Sequence, residues 1–310
     1  MIATNSVRWL LDDCCLYQQT EGGTFELNIC ELVGNLAYHA MMLEAHLTPK
    51  PGLVDCLSPG AHRDMDINTF VASADSLRPY MSQFVKTGYD LYQQPLSALL
   101  PELRKVGIEA ERAMFRATSG INTHKGMIFT LGLICGAVGW LYHKESQYDS
   151  VRIRQVIQTC CAELVNDELI NSKKIPATAG ERLFRECGIT GIRGEAAAGY
   201  PTIFDFGLPV YESAIAQGQS EEQAMFKTLL NLMAHNNDSN LVNRGGLEGL
   251  KFVQYQAKFF LSVYYLDEEC FEQQMRSFDQ ELIDLNLSPG GSADLLAATW
   301  LLAQINLFNR

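Results

Sequence analysis

The sequence predicts an all-α fold, built as a single compact domain of many helices. Hydrophobic residues recur at helical spacing through most long segments, whereas the alternating patterns that would indicate strands are scarce. The chain has 310 residues, of which 47% are hydrophobic and 19% are charged. A chain of this length and composition is globular and buries a sizeable core.

Six segments carry helical periodicity. In the segment at residues 101–118, Pro101 suits the first turn of a helix, and Leu103, Val106 and Ala110 lie on one stripe. Residues 127–142 are the most apolar stretch. They number about 16, whereas a helix needs about 20 residues to cross a bilayer, so we expect a buried helix. The predicted helices cover residues 27–47, 101–118, 127–142, 248–266, 268–285 and 293–308.

Two capping boxes predict the start of further helices. In each, a Ser or Thr is followed three residues later by Glu or Gln, so that side chains and backbone N–H groups satisfy each other. The pairs are Thr178 with Glu181 and Ser220 with Gln223. Gly188 is suited to close the first of these two helices.

The helical part of the chain shows no domain boundary, since it has no internal repeat, low-complexity segment or Pro/Ser-rich linker. Residues 26–310 are predicted to form one all-helical catalytic domain. Residues 1–25 carry no functional motif and are predicted to be a helical N-terminal extension, with an extra helix at residues 10–15.

Charge and cysteine content exclude several classes of protein. The net charge is −12, whereas proteins that wrap nucleic acid or lie on anionic membranes need a basic face. The nine cysteines include no Cys-x-x-Cys, which argues against a disulfide framework and a structural zinc site. The N-terminus lacks the pattern of a signal peptide. We therefore expect a cytoplasmic protein that binds neither nucleic acid nor membranes.

Five segments are dense in Gly, Asp, Asn, His, Arg and Lys. Each has a purely structural interpretation as a helix cap, an Asx-turn or a solvated ion pair. Each also suits a ligand, because helix N-termini bind anions and carboxylate and amide oxygens bind Mg²⁺. Five of them in one helical chain favour a shared active site built from polar, Gly-rich loops at helix ends. The segments are residues 44–65, 120–126, 191–201, 232–246 and 288–294.

Three of these segments carry local predictions. Asn122 or Thr123 is predicted to cap the buried helix that follows. Ser292 is predicted to cap the last helix, with Asp294 in its first turn. The small residues around Arg193 and Glu195 would let a ligand approach the backbone closely, whereas the purely structural interpretation of this segment is a Gly-rich turn that carries an Arg–Glu ion pair.

Common nucleotide-site motifs are missing from the sequence. It contains neither Gly-x-x-x-x-Gly-Lys-Ser/Thr nor Gly-x-Gly-x-x-Gly, and it has no Gly-x-Ser-x-Gly nucleophile elbow. No His is adjacent to an Asp, which weakens the hypothesis of a helical metal-dependent phosphohydrolase. The pattern favours an enzyme that holds phosphates without cleaving them.

Taken together and in order, these segments resemble the triphosphoribosyl-dephospho-coenzyme A synthase family. The resemblance spans about 250 residues, and the set of motifs is far more specific than any single loop. The matching motifs are Glu44-Ala-His-Leu-Thr-Pro-Lys-Pro-Gly-Leu-Val-Asp55, Gly60-Ala-His-Arg-Asp-Met65, Gly120-Ile-Asn-Thr-His-Lys-Gly126, Arg193-Gly-Glu195, Arg244-Gly-Gly246 and Ser288-Pro-Gly-Gly-Ser-Ala-Asp294.

The resemblance implies an all-helical enzyme acting on ATP and 3′-dephospho-CoA. Enzymes of this family release adenine and join the triphosphoribosyl group of ATP to the ribose 2′-hydroxyl of dephospho-CoA. The product is the precursor of the citrate lyase prosthetic group or, in a sister branch, that of malonate decarboxylase. The acyl-carrier system of one of these enzymes is therefore the expected downstream partner, and a homodimer is compatible with the sequence.

The reaction implied by the resemblance suggests roles for several residues. Its transition state resembles an oxocarbenium ion, so a carboxylate can act as base on the incoming hydroxyl while an acid assists the leaving group. Glu195 and Asp238 are the first candidates for the base, and Asp64 is the third. The candidate acid is His124 or a protonated carboxylate.

The binding residues are predicted from their charge and hydrogen-bonding groups. Cations are expected to hold the triphosphate, and carboxylates are expected to hold Mg²⁺ directly or through water. The predicted ATP- and phosphate-binding residues are Lys50, His62, Arg63, Lys125, Arg193, Arg244 and Ser292. The predicted Mg²⁺ ligands are Glu44, Asp55, Asp238 and Asp294.

Two other functions would use the same kinds of residue. A helical Mg²⁺-dependent hydrolase of nucleotides or ADP-ribosyl groups would pass the sugar to water and would need no CoA acceptor. A helical carrier would bind the finished cofactor without releasing adenine. A carrier, however, has little use for so many paired cations and carboxylates.

Overall fold

The computed structural model describes residues 17–19, 25–145, 148–172, 175–176, 178–263 and 268–308. Two three-residue strands, β1 (Tyr17–Gln19) and β2 (Phe25–Leu27), pair antiparallel. Residues 17–19 are therefore a strand where the sequence predicts helix, because pairing with a second segment supplies hydrogen bonds that local periodicity does not anticipate. The predicted helix at residues 10–15 lies outside the described residues.

Helices make up nearly all the rest of the described chain, as the all-α prediction requires. The twelve α-helices described are α1 (Ile29–His46), α2 (Ile67–Asp90), α3 (Leu99–Ala117), α4 (Lys125–Glu145), α5 (Ser150–Cys160), α6 (Ala179–Cys187), α7 (Gly191–Ala197), α8 (Leu208–Ala216), α9 (Glu221–His235), α10 (Ser239–Val263), α11 (Glu268–Asp284) and α12 (Gly290–Phe308). A 3₁₀ turn (Leu96–Ala98) and two π-helical turns (Asn166–Ile170 and Ile203–Gly207) lie between them.

The helices predicted from periodicity and capping are present. Both predicted capping boxes form, at the N-termini of α6 and α9, and Gly188 follows α6 in the left-handed conformation with φ 74°. The sequence analysis did not single out α2, which has 24 residues and begins with a capping box between Asp66 and Thr69. Thr69 replaces the usual Glu or Gln, and Pro79 lies inside the helix. Both features weaken the local helix signal.

The centre of the domain is α4, which packs against α1, α2 and α3. Its glycines allow α2 to approach closely, because a Cβ atom at Gly139 would collide with the Val85 carbonyl group. A Cβ atom at Gly88 of α2 would likewise collide with the carbonyl group of Gly136. Glycine on both helices thus permits the close packing of α2 against α4. A helix that is apolar on all sides belongs in such a core.

A second buried helix, α12, packs against α1, α4, α8 and α9. Trp300 in α12 is fully buried, and its Nε1 donates a hydrogen bond of 2.8 Å to Glu221 Oε1. At the other end of α12, Asp294 touches Gly126 in the first turn of α4. The two core helices therefore begin side by side.

Among the described residues, one segment, Lys125–Lys144, is long and apolar enough to cross a membrane. It lies in α4, and 78% of its apolar window is buried inside the protein. That environment is typical of the core helix of a globular domain. The structure thus gives little sign of a membrane protein.

Candidate functional site

The first turns of five helices line one cavity with a volume of about 470 Å³. Lys125 of α4, Ala179 of α6, Gly191 of α7, Ser239 of α10 and Gly290 of α12 each lie on its wall. The N–H groups of a first turn have no partner within the helix, and the helix dipole is positive there. A cavity bordered by five such turns favours anions with many acceptor oxygens.

All five polar segments contribute residues to this cavity, but two local interpretations of them do not hold. The segment around Arg193 is helix α7 and not the Gly-rich turn of the structural interpretation, because the three alanines that follow Glu195 favour helix. Ser292 does not cap the last helix. That helix already begins at Gly290, and the N–H groups of Ser292 and the next residue bond to the carbonyl of Pro289.

Asn122 caps α4, since its Oδ1 accepts a 3.2 Å hydrogen bond from the Lys125 N–H. Thr123, the other predicted cap, instead donates its hydroxyl to Ser73 Oγ at 2.7 Å. Ser73 also lies 2.7 Å from His124 Nδ1. These bonds fasten the segment before α4 to α2.

His124 is buried on the cavity wall, with 1% of its surface exposed. Its ring packs edge-on against Phe70, with ring centres 4.8 Å apart. Its Nε2 has no hydrogen-bond partner among the described residues. Burial and the charge of Lys50 lower the pKa of His124 to about 3. The imidazole is therefore neutral near neutral pH and is poorly suited to the predicted role of acid.

Lys50 and Glu44 form a buried ion pair at the cavity. Lys50 Nζ lies 2.5 Å from Glu44 Oε1 and 2.6 Å from the Glu44 carbonyl oxygen. The second carboxylate oxygen of Glu44, Oε2, is buried and has no partner among the described residues. Lys50 is thus neutralised within the protein before any phosphate arrives.

Asp238 connects the N-termini of α10 and α12. It accepts hydrogen bonds from the Ser292 N–H (2.8 Å), the Ser292 hydroxyl (3.0 Å) and the Asn240 N–H (2.9 Å). Burial raises the pKa of Asp238, and these hydrogen bonds oppose the rise. A carboxylate with three donors is better explained as a structural cap than as a base or a metal ligand.

Glu195 lies on the cavity wall in α7 and is only partly buried. Thr202 donates two hydrogen bonds to its carboxylate, one from the hydroxyl at 2.7 Å and one from the N–H at 3.2 Å. Burial raises the pKa of Glu195, and the Thr202 bonds oppose the rise. Glu195 is therefore a carboxylate held in one orientation at the cavity.

Asp294 differs from the other carboxylates of the cavity because no described residue donates a hydrogen bond to it. It lies on the wall with part of its surface exposed. Burial in the protein and the nearby carboxylates of Glu44 and Asp238 raise its pKa well above the ordinary value. Asp294 thus favours its neutral, protonated form more than an ordinary aspartate does.

Two of the cavity cations are paired with carboxylates from neighbouring elements. Arg193 Nε lies 2.7 Å from Glu168 Oε2, and its Nη2 lies 3.8 Å from Glu181 Oε1. Lys125 Nζ lies 3.0 Å from Glu111 Oε2. Both cations are partly exposed, so both can exchange part of this pairing for a bound anion.

Arg244 joins three segments beside the cavity. Its Nη1 donates to the Ala61 carbonyl (2.9 Å) and to Asn286 Oδ1 (3.0 Å), and its Nη2 lies 3.2 Å from His62 Nδ1. His62 Nε2 lies 3.1 Å from Ser288 Oγ. Burial and the charge of Arg244 lower the pKa of His62 to about 4, so His62 is neutral near neutral pH.

Four of the predicted site residues do not line the cavity: Asp55, Arg63, Asp64 and Ser292. Asp55 accepts three backbone N–H bonds within its own loop, and Ser292 is bonded to Asp238. Arg63 and Asp64 are exposed. These four residues belong to the polar segments in sequence, but the fold does not bring their side chains to the cavity.

The predicted Mg²⁺ ligands do not assemble into a metal site. Among the residues that the structure describes, no three His, Cys, Asp or Glu side chains are placed to hold a metal ion. Glu44 is paired with Lys50, while Asp55 and Asp238 are occupied by N–H and hydroxyl donors. Only Asp294 lies on the wall without a protein donor.

Sequence reasoning missed an apolar part of the cavity wall, formed by Phe70, Phe115 and Met127. Phe70 lies in α2 and Phe115 in α3, and neither belongs to a recognisable polar motif. No local signal separates such residues from ordinary core positions, because only the crossing of the helices brings them together. The first turn of α6 was also missed as a site element, although its capping box at Thr178 was visible.

Comparison with known proteins identifies the family. The profile of the family described as ATP:dephospho-CoA triphosphoribosyl transferase matches residues 30–310. The chain belongs to this family. The match to the ATP:dephospho-CoA triphosphoribosyl transferases begins in the first turn of α1, so it covers the twelve described helices almost completely and includes every cavity residue.

Several relatives of this transferase family are similar over most of their length. A protein of Vibrio cholerae serotype O1, named probable 2-(5''-triphosphoribosyl)-3'-dephosphocoenzyme-A synthase, is 53% identical over 92% of both chains. One of Photobacterium profundum with the same name is 51% identical over 91% of this chain and 90% of its own. The 2-(5''-triphosphoribosyl)-3'-dephosphocoenzyme-A synthase of Pectobacterium atrosepticum is 47% identical over 85% of this chain and 86% of its own. No solved structure matches the chain.

Proposed function

We propose that the protein transfers the triphosphoribosyl group of ATP to the ribose 2′-hydroxyl of 3′-dephospho-CoA and releases adenine. Membership of the transferase family supports this reaction. The structural observation that carries it is the convergence of five helix N-termini with Lys125, Arg193 and Arg244 on one cavity. Such a cavity suits a triphosphate that is held in place and transferred intact.

Glu195 is the base in this proposal. The two hydrogen bonds from Thr202 orient its carboxylate at the cavity wall. It would accept the 2′-hydroxyl proton of dephospho-CoA as that oxygen attacks C1′ of the ATP ribose in a single displacement. Asp238 serves this role less well because three donors occupy it, and Asp64 lies outside the cavity.

The other residues of the cavity contribute chiefly by position. The cations and first turns hold the triphosphate, and the apolar residues Phe70 and Phe115 offer a surface for a base. Holding both substrates in line can lower the barrier by up to about 7–11 kcal/mol. No loop that assists phosphoryl transfer is needed, since the bond broken is the N-glycosidic bond of ATP.

Mg²⁺ enters the proposal as a part of the MgATP substrate. The described side chains do not form a protein cage for the ion. Mg²⁺ commonly keeps several waters and binds through substrate phosphates. We therefore expect EDTA to stop turnover but to leave the thermal midpoint of the substrate-free protein unchanged. A midpoint lowered by EDTA would instead indicate a metal built into the fold.

We further propose a soluble, cytoplasmic enzyme whose product serves the acyl-carrier system of citrate lyase or malonate decarboxylase. The net charge of −12 supports a protein that stays in solution. Incubation of the product with either acyl-carrier system, followed by mass spectrometry of the carrier, would identify the branch. Light scattering of the purified protein tests whether it forms the homodimer that is compatible with its sequence.

The reaction itself is tested by chromatography of ATP, Mg²⁺ and 3′-dephospho-CoA incubated with the protein. We expect free adenine only when dephospho-CoA is present, and a product that carries the whole triphosphate. Adenine, ADP or phosphate formed without the acceptor would indicate the hydrolase instead. Stoichiometric binding without adenine would indicate the carrier. Glu195→Gln should abolish turnover and spare ATP binding, and substantial retained activity would remove Glu195 from the role of base.

A further inference from the structure

We propose that His124 binds an adenine base in the cavity, by donating a hydrogen bond from its Nε2–H to a ring nitrogen of the base. Both substrates of the proposed transfer, ATP and 3′-dephospho-CoA, carry adenine, so this inference rests on the proposed function and deepens it. The role of acid that the sequence suggests for His124 is replaced by that of a hydrogen-bond donor that keeps its hydrogen.

The hydrogen bonds of Ser73 decide which nitrogen of the His124 ring carries the hydrogen. Ser73 Oγ accepts the Thr123 hydroxyl at 2.7 Å and lies 2.7 Å from His124 Nδ1. With Thr123 as the donor of the first bond, the single hydrogen of the Ser73 hydroxyl is left for Nδ1. Nδ1 is therefore an acceptor. Because the ring is neutral near neutral pH, its hydrogen lies on Nε2.

His124 Nε2 is a buried polar atom that the protein itself leaves unsatisfied. It has no hydrogen-bond partner among the residues that the structure describes, although His124 is only 1% exposed and lines the cavity. The two nitrogens of an imidazole point in widely different directions, so the bond from Nδ1 to Ser73 turns Nε2 away from α2. A buried N–H without an acceptor costs free energy unless a ligand or water supplies one. Nε2 is thus a donor that a bound ligand completes.

Three contacts fix the His124 ring at one place on the cavity wall. Its Nδ1 is bonded to Ser73, and its ring packs edge-on against Phe70 with ring centres 4.8 Å apart. Its backbone N–H lies 3.3 Å from Met114 Sδ in α3. A donor whose direction is fixed before binding loses little conformational entropy when the ligand arrives. The geometry therefore suits a ligand with an acceptor at a defined position.

The apolar surroundings of His124 suit a base better than a phosphate. Phe70, Phe115 and Met127 form the apolar part of the cavity wall, and the His124 ring contacts the first of them. Aromatic side chains stack on nucleic-acid bases, whose ring nitrogens accept hydrogen bonds at the edge of the ring. A phosphate pressed against the same side chains would lose water without gaining a counterion.

Two cations near His124 are already paired with carboxylates. Lys50, whose charge acts on the His124 ring, lies 2.5 Å from Glu44 Oε1. Lys125, the next residue in the chain, lies 3.0 Å from Glu111 Oε2. A phosphate at His124 Nε2 would have to compete with these carboxylates for its counterions, whereas an uncharged purine would not. The position therefore favours the base of a nucleotide over its phosphates.

The position of the hydrogen is tested by NMR of the substrate-free protein labelled with ¹⁵N in its histidines. The ¹⁵N shifts distinguish an imidazole nitrogen that carries hydrogen from one that does not, and the signals lost in His124→Asn belong to His124. We expect the hydrogen on Nε2 near neutral pH. A hydrogen on Nδ1 would overturn the proposal, because Nε2 would then be an acceptor.

Binding is tested by calorimetric titration with ATP, 3′-dephospho-CoA and inorganic tripolyphosphate, each added alone. His124→Asn keeps a partner for Ser73 but removes the donor at the position of Nε2. We expect it to raise the Kd of at least one of the two nucleotides by about 5–50-fold, and the nucleotide affected identifies the source of the base. Tripolyphosphate has no base and should bind both proteins alike. Unchanged binding of both nucleotides, or an equal loss for ATP and tripolyphosphate, would overturn the proposal.

A conservative variant separates recognition of the base from a merely structural role of His124. His124→Gln can place an amide N–H near the position of Nε2, whereas His124→Asn can keep only the bond to Ser73. We expect the Gln variant to bind the affected nucleotide several-fold more tightly than the Asn variant. If His124 served only to fasten the chain to α2, the Asn variant would bind the nucleotide more tightly, and that order would contradict the proposed contact.

The matched control is His143→Asn, which alters an exposed histidine near the other end of α4. It should leave the binding of all three ligands unchanged, and thermal unfolding shows that each variant is folded. A wild type that binds neither nucleotide would overturn the proposed function itself. A wild type that binds ATP and releases adenine, together with His124 variants that bind both nucleotides as tightly as it does, would overturn only the role of His124.

Discussion

Lys50 Nζ lies between two oxygens of Glu44, 2.5 Å from the carboxylate Oε1 and 2.6 Å from the main-chain carbonyl. Neither side chain is more than 1% exposed. Lys50 follows α1 and folds back on its last turns, where the helix dipole favours a cation. The bond fixes the direction in which the Pro-rich segment leaves α1 and enters the cavity wall.

Removal of one member of this pair should destabilise the protein strongly. Lys50→Met leaves the Glu44 charge buried and unpaired, and we expect the free energy of unfolding to fall by about 3–5 kcal/mol. The double variant Glu44→Gln/Lys50→Met should recover much of that loss. Urea denaturation measures the free energies of unfolding of the single and the double variant. A single variant within about 1 kcal/mol of the wild type would contradict the buried pairing.

Two glycine substitutions should have opposite effects on stability. Gly88→Ala places a Cβ atom against the Gly136 carbonyl at the crossing of α2 and α4. We expect the free energy of unfolding to fall by about 1–3 kcal/mol or more. Gly107→Ala in α3 meets only Phe84 Cζ at 3.9 Å. At this position, the higher helix propensity of alanine should raise the free energy of unfolding by about 0.5–1 kcal/mol. Thermal unfolding distinguishes the two, and equal shifts would rule out close packing at Gly88.

The two histidines that line the cavity, His62 and His124, should make the free energy of unfolding depend on acid. The pKa values of His62 and His124 are about 4 and about 3 in the folded protein, whereas an unfolded histidine titrates near about 6.5. The unfolded chain therefore binds more protons below that pH. Stability should be full above about pH 6.5 and should fall toward pH 4, by up to about 1.4 kcal/mol per pH unit for each group.

The pH prediction is checked by urea denaturation at pH 7, 6 and 5. His124→Gln should flatten the dependence on pH, because it removes one of the two groups. His46→Gln, which alters an exposed histidine at the end of α1, is the control and should keep the wild-type slope. An unchanged slope for His124→Gln would mean that His124 is not held neutral.

Arg193 and Arg104 share one carboxylate, and this allows a matched test of the triphosphate site. Both bond to Glu168, but only Arg193 lines the cavity. Loss of a charge-assisted hydrogen bond to phosphate costs about 1.5–3 kcal/mol. Arg193→Gln should therefore raise the KM for ATP by roughly 10–100-fold, and Arg104→Gln should leave it nearly unchanged. Similar KM values for the two variants would place the triphosphate elsewhere.

Local predictions succeeded where near neighbours in the chain create the structure. The capping box at Thr178 and the cap at Asn122 each depend on groups three residues apart. Prediction failed where the hydrogen-bond partner lies outside the local helical turn. Residues 17–19 form a strand by pairing with residues 25–27. Ser292 lies inside its helix, bonded to an aspartate 54 positions away.

By itself, the sequence determined that this protein is helical, where most helices begin and end, and which family it belongs to. These features follow from spacings of three or four residues and from the order of motifs along the chain. Only the tertiary structure decided which charged groups remain available. Asp238 and Glu44 are occupied, while Asp294 lies on the cavity wall without a protein donor. The physical reason is that hydrogen bonds, ion pairs and burial set the charge of a side chain, and its partners come from helices far apart in sequence.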